Sequence, residues 1–140
     1  MDFYNTLDFN EKKGFICDMD GVIYHGNRVL PGVAEFIQWL HDENKEYLFL
    51  TNNSGYTPRE LSQKLARMGL DVTEEHFYTS ALATAAFLRD QAPGCSVFAI
   101  GEAGLLNALY DAGITMNDVN PDYVVVGEGR SYSLDTLTKA

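Results

Sequence analysis

Cysteine is scarce in this sequence, and its scarcity narrows the class of protein. The two cysteines, Cys17 and Cys95, lie far apart, and no Cys-x-x-Cys pair or Cys/His cluster occurs. This argues against a zinc site and against a disulfide framework. No apolar run approaches the length of a membrane span, and residues 1–13 lack the apolar stretch of a signal peptide. We therefore expect a cytoplasmic protein without a membrane partner.

Positive charge is also in short supply. Ten Lys and Arg residues stand against 20 Asp and Glu residues, for a formal net charge of -10. This balance disfavours binding to a nucleic-acid backbone or to an anionic membrane. A small phosphorylated substrate is still compatible with it, because a bound divalent cation reverses the local field. The 140 residues, 46% of them hydrophobic, suffice for one domain, or for one domain and the start of another.

Apolar runs and helical periodicities alternate along the chain, with a small hairpin predicted around Gly26 and Asn27. Strands are predicted at 14–17, 47–50, 78–80, 96–100 and 123–126, and helices at 31–44, 58–68, 81–90, 103–112 and from 133 onward. We expect the first strand to be buried. The alternation predicts an α/β fold with a mostly parallel sheet. The last helix reaches Ala140 without a cap, so we expect a fragment of a longer protein.

An acidic pair follows the first strand directly, in the sequence Asp18-Met19-Asp20-Gly21. Residues two apart in extended backbone point to the same side, so both carboxylates should share one small volume. Their repulsion is expected to raise the pKa of one carboxyl. Phosphate-ester cleavage uses such a pair, one carboxylate attacking phosphorus and the other protonating the leaving alcohol. Taken alone, two aspartates beside Gly21, which permits a sharp turn, are equally compatible with an ordinary turn.

A polar loop, Thr51-Asn52-Asn53-Ser54, follows the second strand. The carboxyl ends of neighbouring parallel strands share one edge of a sheet, where ligands usually bind. A hydroxyl and backbone N–H groups of this loop would then be placed to grip a phosphate held over Asp18. On its own, the loop is also compatible with a simple turn.

Together these elements resemble the haloacid dehalogenase superfamily of phosphohydrolases. Residues 15–22 (FICDMDGV) are similar to its first motif and residues 50–53 (LTNN) to its second. Residues 77–81 (FYTSA), 100–102 (IGE) and 120–127 (NPDYVVVG) resemble the NagD-type branch, which includes nucleotide and 4-nitrophenyl phosphatases. The resemblance runs from Phe15 to the end of the chain.

The resemblance implies a Rossmann-like core with a parallel sheet and an inserted α/β cap domain. Residues 1–92 would be the N-terminal part of the core, and residues 93–140 the first part of the cap. It also implies a magnesium-dependent phosphomonoester hydrolase acting on a small phosphorylated metabolite, with a nucleoside monophosphate favoured.

Roles follow from the resemblance position by position. Asp18 would form the aspartyl-phosphate and bind Mg²⁺. Asp20 would act as general acid and base, and its backbone carbonyl would bind the metal. In the phosphate-binding loop, Thr51 and Asn52 would hold the transferring phosphate and Asn53 would shape the loop.

The sequence departs from the family pattern in its extent. The family's lysine motif and a further acidic metal motif follow the cap and do not occur here, and Lys139 lies in the cap portion, so it does not replace that lysine. The activity of these 140 residues alone is therefore left open. The alternative is a catalytically incomplete fragment that acts only as a binding or self-associating module. A homo-oligomer is compatible with the sequence.

Two charged residues, Glu102 and Arg130, are each compatible with more than one role. Glu102 is equally compatible with a cap contact and with an acidic residue at a helix N-terminus. For Arg130, a solvated loop is favoured over contact with a substrate anion.

Overall fold

A computed structural model describes residues 8–140 of the chain. Two short 3-10 turns, Phe9–Glu11 and Glu74–His76, accompany the regular elements. The strands are β1 Gly14–Asp18, β2 Tyr24–His25, β3 Arg28–Val29, β4 Glu46–Thr51, β5 Phe77–Thr79, β6 Ser96–Ile100, β7 Thr115–Met116 and β8 Tyr123–Val126. The helices are α1 Val33–Asp42, α2 Pro58–Arg67, α3 Ser80–Gln91, α4 Ala103–Asp111 and α5 Leu134–Lys139. All the predicted elements occur close to their predicted bounds, and β7 is an addition. No helix in the described part of the chain combines the length and apolarity that crossing a membrane requires.

The strands of residues 8–140 form two parallel three-stranded sheets and one hairpin. The sheet orders are β1-β4-β5 and β7-β6-β8, and β2 pairs with β3 in antiparallel fashion. In the first sheet Asp18 lies opposite Leu50, and Leu50 lies opposite Tyr78. The carboxyl ends of all three strands therefore meet at one edge. The predicted α/β class with parallel pairing is confirmed.

The prediction that β1 is buried was wrong. Its residues alternate between exposed and half-buried, and Ile16 is 72% exposed. One face of the strand is covered, because Phe15 packs edge-on against Phe36 and Trp39 of α1. The described residues leave the face carrying Ile16 largely open, and β1 pairs with β4 only. An apolar run predicts a strand, but it does not say how many faces its neighbours cover.

The buried apolar side chains form two clusters. The first surrounds Phe49 of β4 and Leu65 of α2, and the second surrounds Val97 of β6 and Leu109 of α4. Helix α3 contributes its buried face to the second cluster, through Ala81, Ala85 and Leu88. The division of the chain into 1–92 and 93–140 stays a prediction, and this packing favours a boundary nearer Ser80.

Helix α2 begins with a complete capping box. The Thr57 hydroxyl accepts from the Glu60 N–H at 3.1 Å, and Glu60 Oε2 accepts from the Thr57 N–H at 2.8 Å. Because Thr57→Ala leaves the Glu60 N–H without its partner, we expect a loss of about 1 kcal/mol in the free energy of unfolding. Urea unfolding of the full-length protein measures this loss. Arg59→Ala, in the same exposed turn, is the control, and an equal loss in both variants would contradict the capping argument.

Candidate active site

The acidic pair and the second polar loop line one open groove at the shared edge of the first sheet. Its volume is about 600 Å³, and its walls are Asp18, Asp20, Leu50, Thr51, Asn52, Tyr78, Thr79, Ser80 and Ala83. Four of the five predicted site residues thus lie together. Asn53 is the exception, since it lines a separate cavity.

The turn after β1 explains how both carboxylates reach the groove. Met19, between them, is fully buried, and its carbonyl accepts from the N–H groups of Val22 at 3.2 Å and Ile23 at 2.8 Å. Gly21 adopts φ +77, a conformation that residues with a Cβ rarely take. With Met19 anchored in the core, the flanking Asp18 and Asp20 are both exposed at the groove. The Met19 N–H also donates to Asp18 Oδ1 at 2.8 Å.

Tyr24, a residue to which the sequence analysis assigned no role, contacts this turn through its backbone. It is 4% exposed, forms a backbone bridge with Asp20, and its carbonyl accepts from the Gly21 N–H at 2.8 Å. Burial, and after it the nearby charge of Asp20, raise the pKa of Tyr24 to about 12. The phenol therefore stays protonated at neutral pH. Lys64 Nζ lies 4.3 Å from the centre of its ring.

The loop after β4 is shaped by its own side chains. Thr51 is buried, and its hydroxyl oxygen accepts from the Asn53 N–H at 3.1 Å. Asn53 Oδ1 accepts from the N–H groups of Gly55 at 2.8 Å and Tyr56 at 3.2 Å. These bonds hold Asn53 in a turn and leave Thr51 and Asn52 at the groove. The role of Asn53 in a phosphate-binding loop stays a prediction.

A third strand end contributes to the groove, and sequence reasoning assigned it no role. Ser80 Oγ donates to the Asn52 carbonyl at 2.8 Å, which ties the loop to α3. The Thr79 hydroxyl accepts from the Leu82 N–H at 3.2 Å and caps α3. The available signal was the predicted extended segment at 78–80, because a third parallel strand must end at the same edge.

The loop is also joined to the second sheet. Ser54 Oγ accepts from the Glu128 N–H at 2.7 Å, and the Gly104 N–H donates to the Gly55 carbonyl at 3.0 Å. Glu102, the N-cap residue of α4, accepts from the Arg130 N–H at 3.1 Å. Arg130 is exposed, as expected, but its guanidinium also donates to the Tyr56 hydroxyl at 3.4 Å. Glu102 and Arg130 therefore both lie where the 54–56 loop meets α4 and the segment after β8, which we call the junction.

Gly104 allows the close approach at the junction. A Cβ at this position would lie 2.5 Å from the carbonyl oxygens of both Ser54 and Tyr56. Because these are backbone atoms, Gly104→Ala must displace the loop or α4, and we expect about 3 kcal/mol of destabilisation. Thermal and urea unfolding of the full-length protein test this. Gly14→Ala is the control, since its added Cβ would meet only ordinary contacts at 3.5 Å; equal stability of the two variants would contradict the argument.

The side chains at the groove offer oxygen donors to a metal ion. Among residues 8–140, no three or more His, Cys, Asp or Glu side chains are grouped to hold a metal. Asp18 and Asp20 supply oxygen donors. Such a pair suits Mg²⁺, which binds one or two carboxylates and completes its shell with water and phosphate oxygens. It does not suit zinc, which prefers nitrogen and sulfur ligands.

The acidic turn lies at the carboxyl edge of a parallel sheet and faces a Thr-Asn loop, which places the chain in the Rossmann-like α/β class. The chain belongs to the family described as haloacid dehalogenase-like hydrolase, whose model matches residues 15–115. The recognition made from the motifs is confirmed.

Individual relatives carry phosphatase names. Ribonucleotide monophosphatase NagD of Escherichia coli K12 is 47% identical over 128 residues, which cover 91% of this chain and 51% of the relative. Dihydroxyacetone phosphatase of Corynebacterium glutamicum is 45% identical over 126 residues, covering 90% of this chain and 46% of the relative. The chain spans about half the length of the curated relatives it matches.

Solved structures agree with the sequence comparison. The structure of NagD from E. coli K-12 has a TM-score of 0.85 at 46% identity and covers 91% of this chain and 51% of that one. The 4-nitrophenylphosphatase of Thermotoga maritima has a TM-score of 0.85 at 33% identity, covering 93% and 50%. The fold of this chain is therefore that of the N-terminal part of these hydrolases.

Proposed function

We propose that the protein carrying this chain is a magnesium-dependent phosphomonoester hydrolase that uses Asp18 as nucleophile and Asp20 as general acid and base. The observation that carries the proposal is the single groove lined by Asp18, Asp20, Thr51 and Asn52. Family membership and phosphatase relatives support it. They favour an enzyme over the alternative of a binding or self-associating module.

The proposed reaction has two steps at phosphorus. A carboxylate oxygen of Asp18 attacks phosphorus, the bond from phosphorus to the ester oxygen breaks, and Asp20 donates a proton to that leaving oxygen. Asp20, now a carboxylate, then takes a proton from water, whose oxygen attacks phosphorus and releases Asp18 and inorganic phosphate. Thr51 and Asn52 hold the phosphoryl oxygens in line.

The metal would be held by the Asp18 carboxylate and the Asp20 backbone carbonyl. When bound, Mg²⁺ offsets the negative charge of phosphate and lets it approach an ionised carboxylate. This matters here because the chain carries a formal charge of -10.

For the substrate we propose a small phosphorylated metabolite, with a nucleoside monophosphate favoured. The support is the name of the NagD relative, a ribonucleotide monophosphatase. Others are named dihydroxyacetone phosphatase and acid sugar phosphatase. All three names denote phosphatases of small molecules.

A substrate panel tests the proposal. The full-length protein, with Mg²⁺, is given nucleoside 5′-monophosphates, sugar phosphates, 4-nitrophenyl phosphate and a phosphodiester, bis(4-nitrophenyl) phosphate. We expect phosphate release from monoesters, with a nucleoside monophosphate giving the highest kcat/KM. No turnover of any monoester would overturn the proposed activity, whereas a preferred sugar phosphate would overturn the substrate preference only.

A further inference from the structure

The first residue of α3 lies beside the polar loop because of the register between two strands. Thr51 of β4 lies opposite Thr79 of β5. The residues that follow them, Asn52 and Ser80, are therefore neighbours at the carboxyl edge of the sheet, and both line the groove. The Ser80 hydroxyl is not the cap of α3, because the Thr79 hydroxyl accepts from the Leu82 N–H at 3.2 Å and fills that role. The Ser80 hydroxyl donates instead to the Asn52 carbonyl at 2.8 Å, a residue 28 positions away in the sequence.

The peptide unit between Asn52 and Asn53 is held at both of its polar ends. Its carbonyl accepts from the Ser80 hydroxyl at 2.8 Å, and its N–H donates to Thr51 Oγ1 at 3.1 Å. On the other side of Asn52, the backbone is fixed by the pairing of β4 with β5. Each residue has only two soft backbone dihedrals, so restraint of both flanking peptides fixes the direction in which the Asn52 side chain leaves the backbone. The bond from Ser80 is one of the two that hold the second of these peptides.

We propose that Ser80 is a positioning residue for Asn52, whose backbone it holds so that the Asn52 side chain points at the transferring phosphoryl group. The inference rests on the proposed function, since it assumes that Asn52 holds that group. Ser80 acts through the Asn52 backbone and does not touch the substrate. Its loss should therefore weaken the grip on the phosphoryl group to the same extent for every leaving group.

Substitution of Ser80 in the full-length protein tests the proposal. Ser80→Ala removes the hydroxyl and introduces a residue that suits a helix. We expect kcat/KM to fall about 10-fold for both 4-nitrophenyl phosphate and the best nucleoside or sugar phosphate of the panel, the size set by one hydrogen bond to a charged group. The inhibition constant of inorganic phosphate should rise by a similar factor, because phosphate would occupy the place of the phosphoryl group. Ser80→Thr keeps the hydroxyl donor and should stay within about 2-fold of wild type on both measures.

Ser62→Ala is the matched control. Ser62 is half-buried like Ser80, and its hydroxyl also donates to a backbone carbonyl, that of Val72, at 2.7 Å. Ser62 belongs to α2 and is not one of the residues that line the groove. The control therefore removes an equivalent hydrogen bond and should leave both kcat/KM and phosphate inhibition unchanged. Thermal unfolding of the two alanine variants measures the structural cost of each bond.

A double-mutant cycle separates positioning from a general effect on stability. In an Asn52→Ala background, the side chain that Ser80 would position is absent, so the addition of Ser80→Ala should cost less than about 2-fold in kcat/KM. Equal losses in the two backgrounds would show that Ser80 does not act through Asn52, and they would overturn the proposal.

The remaining outcomes distinguish the positioning role from the proposed activity. A loss in Ser80→Ala that is absent from both Ser80→Thr and Ser62→Ala supports positioning. Wild-type kinetics in Ser80→Ala, or an equal loss in Ser80→Thr, overturns it and leaves the proposed phosphatase intact. Should Ser80→Ala not fold, Ser80→Cys takes its place with the same expected loss, because a thiol is a weak donor. A wild-type protein inactive on every monoester would refute the proposed function and the positioning role with it.

Discussion

Asp18→Asn is expected to lower kcat for phosphomonoesters by about 10⁴-fold or more, the scale on which removal of a nucleophile acts. The substitution is nearly isosteric, so it replaces a carboxylate oxygen without emptying the groove. An amide is a poor nucleophile for phosphorus, and the covalent intermediate cannot form. Asp18 is exposed at the end of β1, and the side-chain oxygen of Asn can still accept the bond that the Met19 N–H donates to Asp18 Oδ1. The loss should therefore occur without unfolding.

The measurement is steady-state hydrolysis of 4-nitrophenyl phosphate and of the best natural ester, with the fold checked by thermal unfolding. Asp42→Asn is the control, because Asp42 is an exposed carboxylate on α1 that bonds only to Gln38 among the described residues. Acid quenching during turnover adds a second readout, since the wild-type protein should gain the mass of one phosphoryl group and the variant should not. Magnesium-dependent turnover retained by Asp18→Asn would show that the nucleophile is another group.

Local patterns fixed most of the fold in advance. The capping box at Thr57 and Glu60 predicts the start of α2, and the structure contains both reciprocal hydrogen bonds. Gly69, just after the C-terminal end of that helix, adopts φ +84. This left-handed conformation is the usual way in which a glycine ends a helix. The prediction that β1 is buried was wrong. Ile16 is exposed because burial depends on which elements lie over a strand, and this is a property of the whole assembly of elements.

The site was predictable where the chain itself brings residues together. Asp18 and Asp20 are two positions apart, and the 51–54 loop follows the next strand of the same sheet, so the geometry of parallel strands places them at one edge. The contact of Tyr24 with Asp20 was not predicted, because it depends on the turn around Met19. In this turn the Met19 carbonyl accepts hydrogen bonds from several backbone N–H groups. The place of Ser80 at the groove was not predicted, because a serine at the start of a helix usually indicates only a helix cap.

The junction between the two sheets was the least predictable feature. The sequence around the glycines at 101, 104 and 127 gives no sign of a special role. In the structure, a Cβ added at any of them would clash with Leu105 or with the 54–56 loop. At Gly104 and Gly127 there is no room for a Cβ because the contacts, with Ser54, Tyr56 and Leu105, join segments far apart in sequence. Such contacts leave no periodicity for a reader of the sequence to detect.

Removal of divalent cations is the second change expected to abolish activity. In the proposed site, an anionic substrate must approach the Asp18 carboxylate on a chain whose formal charge is -10. Without a bound cation, this approach is repulsive and the phosphoryl charge is not offset, so a chelator should reduce turnover to background and added Mg²⁺ should restore it.

Binding itself gives a readout that is independent of turnover. Mg²⁺ at about 100 times its dissociation constant should stabilise the folded state by about 2.7 kcal/mol, which raises the unfolding temperature by several degrees. Because Asp18 would supply a ligand oxygen, Asp18→Ala should lose most of this shift, whereas Asp42→Asn should retain it in full. Full activity in the presence of chelator would rule out the metal requirement. A Mg²⁺-induced shift equal in wild type and Asp18→Ala would place the ion elsewhere, since the carboxylate at the end of β1 would then contribute nothing to its binding.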